Sequence, residues 1–149
     1  MASFDSATHH WAQLVPELNV SDIAASLRFW CDLLGFAVLF DRPEEGFAYL
    51  GRDGAEVMLE QLGPASWPVG EMVRPFGRGI NLQIDVAAVQ PMLDRLAAAG
   101  WPLYLPPQDR WYRAGDVENG QRQFLVQDPD GYLLRFAESL GRRPAARQS

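Results

Sequence analysis

Apolar residues recur at two different periods near the start of this chain, and they predict a strand followed by a helix. From Gln13 to Val20 apolar and polar positions alternate, which is typical of a strand with one buried face. Residues 23–34 then change to helical spacing, with Ser21 or Asp22 as the N-cap and Gly35 as the glycine that ends the helix. The inner face of the strand is expected to carry Leu14, Leu18 and Val20.

Short apolar stretches follow, separated by turn-forming residues. Strands are predicted over residues 36–40, 46–50 and 55–62, and the intervening "DRPEE" and "GRDG" have turn composition. A stretch rich in proline and glycine then runs from Gly63 to Gly79. It is interpreted as a linker between two halves or as a loop over a site.

The same order of elements begins again at residue 80. The segment "INLQIDV" alternates as a strand, with Ile80, Leu82 and Ile84 on one face, and residues 87–100 predict a helix with Pro91 in its first turns. An internal repeat of strand–helix–strand–strand–strand is therefore predicted, with chance similarity between two α+β halves as the alternative. The remaining predicted strands lie near 101–105, 109–114, 121–127 and 132–138.

The repeat implies an architecture, because a single amphipathic sheet of this kind cannot bury its apolar face alone. We expect an α+β fold in which two tandem βαβββ modules pair into a curved sheet around a cleft. Residues 13–140 would form one domain. Its predicted parts are a loose N-terminal arm at 1–12, a first module at 13–62, a loop at 63–78, a second module at 79–140 and a disordered tail at 141–149.

The amino-acid composition limits the kinds of binding partner and the cellular location that are expected. The formal net charge of −6 disfavours nucleic acid and anionic membranes and favours cationic ligands. The single cysteine, Cys31, excludes an internal disulfide, and its helical setting predicts an inert packing role. No apolar run is long enough to span a membrane and no signal-peptide pattern opens the chain, so a cytoplasmic location is expected.

Two motifs resemble a known family. The segment "NVSDIAASLRFWCDLLGF" is similar to the first strand–helix unit of the vicinal-oxygen-chelate superfamily, and "DPDGYLLRF" is similar to its last hairpin. This superfamily includes glyoxalase I, ring-cleaving dioxygenases and the bleomycin-resistance proteins. The resemblance covers about residues 13–140 and supports the fold more strongly than any one activity.

In the enzymes of this superfamily, His, Gln or Glu residues from the first and last strands of each module hold a divalent metal. The resemblance places four residues in those positions: Val15, Glu60, Gly79 and Arg135. Glu60 alone has a ligand-type side chain, and Arg135 is a permanent cation that would repel a metal. A register slip would put Glu17 in the first position. Both histidines, His9 and His10, lie in the arm, so no metal, other cofactor or catalytic residue set is expected.

The residues expected to face the cleft suit hydrogen bonding and stacking. Phe40 and Phe47 resemble, by position, the aromatic wall that bleomycin-resistance proteins use against the drug, and the acidic "DRPEE" turn beside them would attract a cation. Arg135 either pairs with Glu17 or Glu60 across the cleft or extends to the rim. The predicted ligand-binding residues are Glu17, Phe40, Phe47, Glu60, Asn81, Gln83, Trp111, Tyr112 and Arg135.

The resemblance is nearest to the bleomycin-resistance branch. It implies a homodimer that binds and sequesters a bleomycin-like antibiotic, or another cationic and aromatic small molecule, without metal. A general binder of another small molecule is a further interpretation. The alternative from a different class is a divergent metal-dependent isomerase, lyase or dioxygenase. Neither nucleic acid nor a membrane is expected as a partner.

Overall fold

The computed structural model describes residues 3–146. Two α-helices lie within this range, α1 (Ile23–Leu27) and α2 (Gln90–Ala98). The strands are β1 (Glu17–Val20), β2 (Ala37–Arg42), β3 (Phe47–Arg52), β4 (Ala55–Gln61), β5 (Asn81–Asp85), β6 (Leu105–Ala114), β7 (Val117–Gln127) and β8 (Leu133–Pro144).

The strands form two four-stranded sheets with the same topology. The first has the order β1-β4-β3-β2 and the second has the order β5-β8-β7-β6. In each sheet the first strand of the module pairs in parallel with the last, and the other pairs are antiparallel. The predicted α+β class with two βαβββ modules is confirmed, whereas the pairing of the modules around a cleft stays a prediction.

The described residues divide into two compact units. Unit 1 contains the described residues up to Phe76 together with Asp128–Asp130. Unit 2 contains Gly77–Gln127 and the described residues from Gly131 onward. The short segment at Asp128–Asp130 therefore belongs to unit 1, although the strands on either side of it belong to unit 2.

Helix α1 begins and ends as its sequence predicts. The Asp22 side chain caps the first turn by accepting hydrogen bonds from the backbone N–H groups of Ala24 and Ala25. The helix continues as a π-helical segment, Arg28–Leu33, and Gly35 follows with a φ of 78°. Trp30, on this segment, is fully buried in the core of unit 1.

Both modules begin their first strand later than predicted. Leu14 is 87% exposed and Ile80 is 63% exposed, so the prediction that they lie on the buried faces is wrong. Pro16 has no N–H to extend the β1 ladder, and β1 starts directly after it. The Ile80 N–H bonds the Gly77 carbonyl, so Ile80 belongs to a turn that precedes β5.

The last three strands of the second module, β6, β7 and β8, are longer than predicted. Residues 101–103 form no strand, which corrects that prediction, and β6 starts at Leu105. Its two prolines, Pro106 and Pro107, fall within a bulge of this edge strand, where missing N–H groups are tolerated. The disordered tail predicted from residue 141 is wrong for residues 141–144, which end β8, and residues 147–149 lie outside the described range.

The "DPDG" motif is a structural clip of unit 1. The Asp130 carboxylate is 1% exposed and accepts hydrogen bonds from the Ser21 N–H (3.0 Å), the Ser21 hydroxyl (2.5 Å) and the Arg74 guanidinium (2.9 Å). The Asp130 carbonyl also accepts from the Phe76 N–H. The clip therefore joins the entrance of helix α1 to the end of the irregular segment that follows β4.

Unit 2 has its own core. Phe124 and Phe136 stack at 5.5 Å between ring centroids and are fully buried. Met92 and Leu96 of helix α2 are each 1% exposed, and the Val89 N–H at the start of that helix bonds the Glu138 carboxylate of β8.

Over residues 3–146, neither helix has the length and apolar character that crossing a membrane requires.

Candidate functional site

The sheet of unit 1 has one aliphatic face and one mixed face. Leu18, Val57 and Leu59 are buried on the aliphatic face. Residues directly opposed in a ladder share a face, and the opposed pairs include Glu17 with Met58, Asn19 with Glu60 and Phe40 with Tyr49. We call the mixed face the polar face of unit 1; it is formed by Glu17, Asn19, Phe40, Phe47, Tyr49, Glu56, Met58 and Glu60.

Two predicted site residues, Glu17 and Glu60, lie together on this face. Burial raises the pKa of Glu17, and a hydrogen bond to Glu60 and the charge of Glu60 raise it further, while Arg42 lowers it. Ser66 donates a hydrogen bond to Glu60 at 3.3 Å. Two like charges at close range repel each other, so this pair is suited to hold a shared proton or a cationic group.

Residues 3–12 of the N-terminal arm are packed against the polar face of unit 1, so the prediction of a loose arm is wrong for these residues. Phe4 stacks on Phe40 at 5.4 Å, and Trp11 contacts Phe40 and Tyr49 edge-on at 6.0 and 5.3 Å. Phe40 itself stacks on Tyr49 at 4.9 Å. The predicted aromatic wall at Phe40 is therefore covered by aromatic residues of the arm, and Trp11 remains 40% exposed.

A buried carboxylate anchors the arm. Glu56 is 7% exposed and accepts hydrogen bonds from the Ala12 N–H (2.5 Å) and the Tyr49 hydroxyl (3.1 Å), and its other oxygen lies 2.5 Å from His9 Nε2. Burial acts to raise the pKa of Glu56, but the hydrogen bonds from Ala12, His9 and Tyr49 outweigh it, and the pKa is lowered. Burial and the contact with Glu56 raise the pKa of Tyr49 to about 12.

Phe47 is on the polar face of unit 1, but its side chain is shielded from solvent. Its side chain is 6% exposed, and the Arg42 guanidinium lies over its ring at 3.9 Å from the centroid. Arg42 is held in turn by Glu45 at 2.5 Å. This position favours a packing role for Phe47, with Arg42 as the group presented to solvent.

In unit 2 the register brings three predicted residues onto one face. Gln83 of β5 lies opposite Arg135 of β8, and Asn81 lies two residues before Gln83. The Arg135 Nε is buried and has no hydrogen-bond partner among residues 3–146. The pairing of Arg135 with Glu17 or Glu60 would join the two units and stays a prediction.

Glu60 and Arg135 occupy equivalent places in the two modules. Glu60 lies opposite Asn19 on the parallel first strand of unit 1, as Arg135 lies opposite Gln83 in unit 2. A guanidinium has no lone pair for a metal and carries the same sign of charge. Among the residues that the structure describes, no group of three His, Cys, Asp or Glu side chains is arranged to hold a metal ion. The side chains at these positions therefore do not fit the divalent metal ion that the related enzymes hold.

Trp111 and Tyr112 lie on opposite faces of β6, because successive strand residues alternate. Trp111 packs over Gly120, where a Cβ atom would lie 2.7 Å from its ring, and the Arg143 guanidinium covers it at 4.2 Å. Tyr112 instead accepts a hydrogen bond from Gln123 at 2.8 Å. The two residues therefore do not form one stacking surface.

Several residues on these faces were not predicted from sequence. Glu56 and Tyr49 share the strand parity of Glu60 and Phe47, so alternation alone would have found them. Gln121 and Gln123, which alternate along β7, were also not predicted. Cys31 is half-buried, and burial followed by the nearby Asp32 raises the pKa of its thiol, which suits the predicted inert role.

Comparison with known proteins gives the family. The model described as "Glyoxalase/Bleomycin resistance protein/Dioxygenase superfamily" matches residues 8–136. The chain belongs to this superfamily, and the resemblance seen in its sequence is confirmed.

Named relatives lie in two branches. A bleomycin resistance protein of Geobacillus stearothermophilus is 28% identical over 140 residues, which cover 86% of this chain and 97% of that protein. A lactoylglutathione lyase of Haemophilus influenzae is 28% identical over 127 residues, which cover 82% and 88%. Among solved structures, TioX from Micromonospora sp. ML1 has a TM-score of 0.65 and 25% identity, over 85% of this chain and 98% of that chain.

Proposed function

We propose that this protein binds and sequesters a bleomycin-like small molecule without a bound metal, as a cytoplasmic homodimer. The observation that carries the proposal is the placement of Arg135 at the position in unit 2 that Glu60 occupies in unit 1. Similarity over 97% of a bleomycin resistance protein supports the choice of ligand class.

The polar face of unit 1 favours a cationic group. Glu17 and Glu60 repel each other when both are ionised, and a bound cation relieves that repulsion. Asn19 is on the same face, directly opposite Glu60 in the ladder, and the two carboxylates can accept hydrogen bonds from a ligand. A ligand ammonium or guanidinium group placed here would therefore gain both charge and hydrogen-bond complementarity.

The aromatic part of the ligand is assigned to the arm instead of to Phe47. Trp11 is 40% exposed and packs edge-on against Phe40 and Tyr49. These contacts hold its ring in place while part of the ring stays exposed to solvent. An indole in this setting stacks well on a planar ring or a cation.

Titration of intrinsic tryptophan fluorescence with bleomycin tests the proposal. We expect saturable quenching, largely lost in Trp11→Phe and retained in Trp67→Phe, a control at an 88% exposed indole of unit 1. Glu60→Gln should weaken binding by about tenfold, because one charge-assisted contact is lost. Absence of quenching of the wild-type protein would contradict the ligand assignment.

A metal-dependent isomerase is the second candidate. It is favoured by the similarity to a lactoylglutathione lyase and by the retained Glu60. It requires a divalent ion, for which Glu60 would need three further donors, and the structurally equivalent Arg135 is not one.

A further inference from the structure

A cavity of about 400 Å³ opens on unit 2, lined by residues of β5, β7 and β8 and by Val86. Its volume falls within the range of small-molecule sites. The lining is mixed, and its polar side chains include Gln83, Asp85, Asn119, Gln121 and Ser139. No aromatic ring, histidine or cysteine contributes to it.

The local sequence explains why the cavity exists. Ala137, 3% exposed, lies between Asp85 and Gln123 in the ladder, so a single methyl group stands where a longer side chain would fill the space. The β7–β8 register shifts between Gly120 and Gln121, and bulges of this kind bend a sheet locally.

A chain of hydrogen bonds orients the amides at this cavity. Gln121 Nε2 donates to Gln83 Oε1 at 3.4 Å and to Gln123 Oε1 at 2.6 Å. Gln83 Nε2 donates onward to Asp85 Oδ1 at 3.2 Å, and Gln123 Nε2 donates to the Tyr112 hydroxyl at 2.8 Å. The side chains are therefore held in place before any ligand arrives.

The same hydrogen bonds determine which polar groups remain available to bind a ligand. Gln121 uses both amide hydrogens, which leaves its Oε1 as an acceptor. Gln83 Nε2 has a second N–H, and Asp85 has a second carboxylate oxygen. Two acceptors and one donor thus border one cavity, and a hydroxyl group can both donate to such acceptors and accept from such a donor.

The charges at the cavity cancel. Asp85 contributes one negative charge and Arg142 one positive charge, and the other lining side chains are neutral. A strongly cationic or anionic guest gains no net attraction from this balance. The aromatic cation proposed for unit 1 therefore gains no electrostatic preference for this cavity.

We propose that this cavity is a binding site for a neutral polyhydroxylated group, such as a sugar or cyclic polyol. The convergent amide and carboxylate groups of Gln83, Gln121 and Asp85 match vicinal hydroxyls, which supply donors and acceptors in pairs. This role stands apart from the proposed capture of an aromatic cation, because a free sugar is sufficient to occupy the cavity.

The test is a nuclear magnetic resonance titration of the 149-residue protein with glucose, mannose, ribose and myo-inositol, each tested alone. At least one is expected to shift the side-chain amide signals of Gln83 and Gln121 saturably at millimolar concentration. Gln121→Leu should weaken that binding by about tenfold, since both amide links and one acceptor are lost. Gln90→Leu, at an exposed glutamine of helix α2, is the matched control and should bind as the wild type does.

The wild-type titration is decisive whether or not the variant folds. Absence of saturable shifts with all four compounds would overturn the proposal, as would equal binding by a folded Gln121→Leu protein. If backbone signals show that Gln121→Leu is misfolded, Gln121→Glu serves instead, because a carboxylate keeps the shape but cannot donate to Gln83 and Gln123. Shifts produced by betaine or phosphate but by none of the sugars would also overturn it.

Discussion

Replacement of Glu56 by alanine is expected to release the N-terminal arm and to lower the free energy of unfolding by about 2–4 kcal/mol. The substitution removes a buried carboxylate that the Ala12 N–H, the Tyr49 hydroxyl and His9 contact. Three donors would lose their acceptor, and the aromatic contacts of the arm would lose their anchor. Denaturant unfolding gives the stability change, and hydrogen exchange at the Ala12 amide reports the arm directly.

The matched control is Glu44→Ala, at an exposed glutamate of the turn between β2 and β3, which should change stability by less than about 0.5 kcal/mol. A Glu56→Ala protein that is as stable as the wild type and keeps its Ala12 amide protected would contradict this account of the arm.

The Glu56 anchor also has a pH dependence with a defined sign. The pKa of Glu56 is lowered in the folded protein, so its contribution is fully present above the ordinary carboxyl value of 4.5 and is lost as the pH falls through the folded-state pKa. The stability difference between the wild type and Glu56→Ala should therefore shrink on acidification below that value. A difference that is constant down to strongly acidic pH would show that the charge of Glu56 is not what holds the arm.

Replacement of Asp130 by alanine is expected to have an effect of similar size, about 2–4 kcal/mol, through a different part of unit 1. The 1% exposed carboxylate joins Ser21 at the start of α1 to Arg74. The exposure of Arg74 limits the share that its charge contributes, so the two bonds from Ser21 carry most of the effect. Denaturant unfolding measures the loss, and hydrogen exchange at the Ser21 and Phe76 amides, which bond Asp130, should accelerate.

Asp32→Ala, at an exposed aspartate in the same unit, is the control and should be near neutral. If Asp130→Ala unfolds at the wild-type denaturant concentration, the "DPDG" segment is a passive turn and its assignment as a clip is wrong.

Much of the fold could be predicted because its signals are local. The period of residues 23–34, the Asp22 cap and Gly35 defined the first helix, and the repeated order of elements defined the second module. Strand ends were less predictable. Polar residues such as Glu118 and Arg143 extend β7 and β8 beyond their apolar segments, because a hairpin continues wherever backbone groups can pair.

The candidate site was harder to predict than the fold, since it depends on contacts between residues distant in sequence. Alternation correctly placed Glu17 and Glu60 on one face, and it also places Trp111 and Tyr112 on opposite faces of β6. Nothing in the composition of residues 3–12 indicates that they would pack on Phe40 and Tyr49. The prediction of a loose arm failed because its anchor, Glu56, lies on β4.

Calorimetric titration of chelator-treated protein with metal-free bleomycin tests the central claim most directly. We predict saturable binding by protein that elemental analysis shows to hold no divalent metal, together with no binding of added Ni²⁺ or Zn²⁺ to the protein alone. Stoichiometric uptake of either ion, lost in Glu60→Ala and required for turnover or for ligand binding, would contradict the account and favour the metal-dependent isomerase.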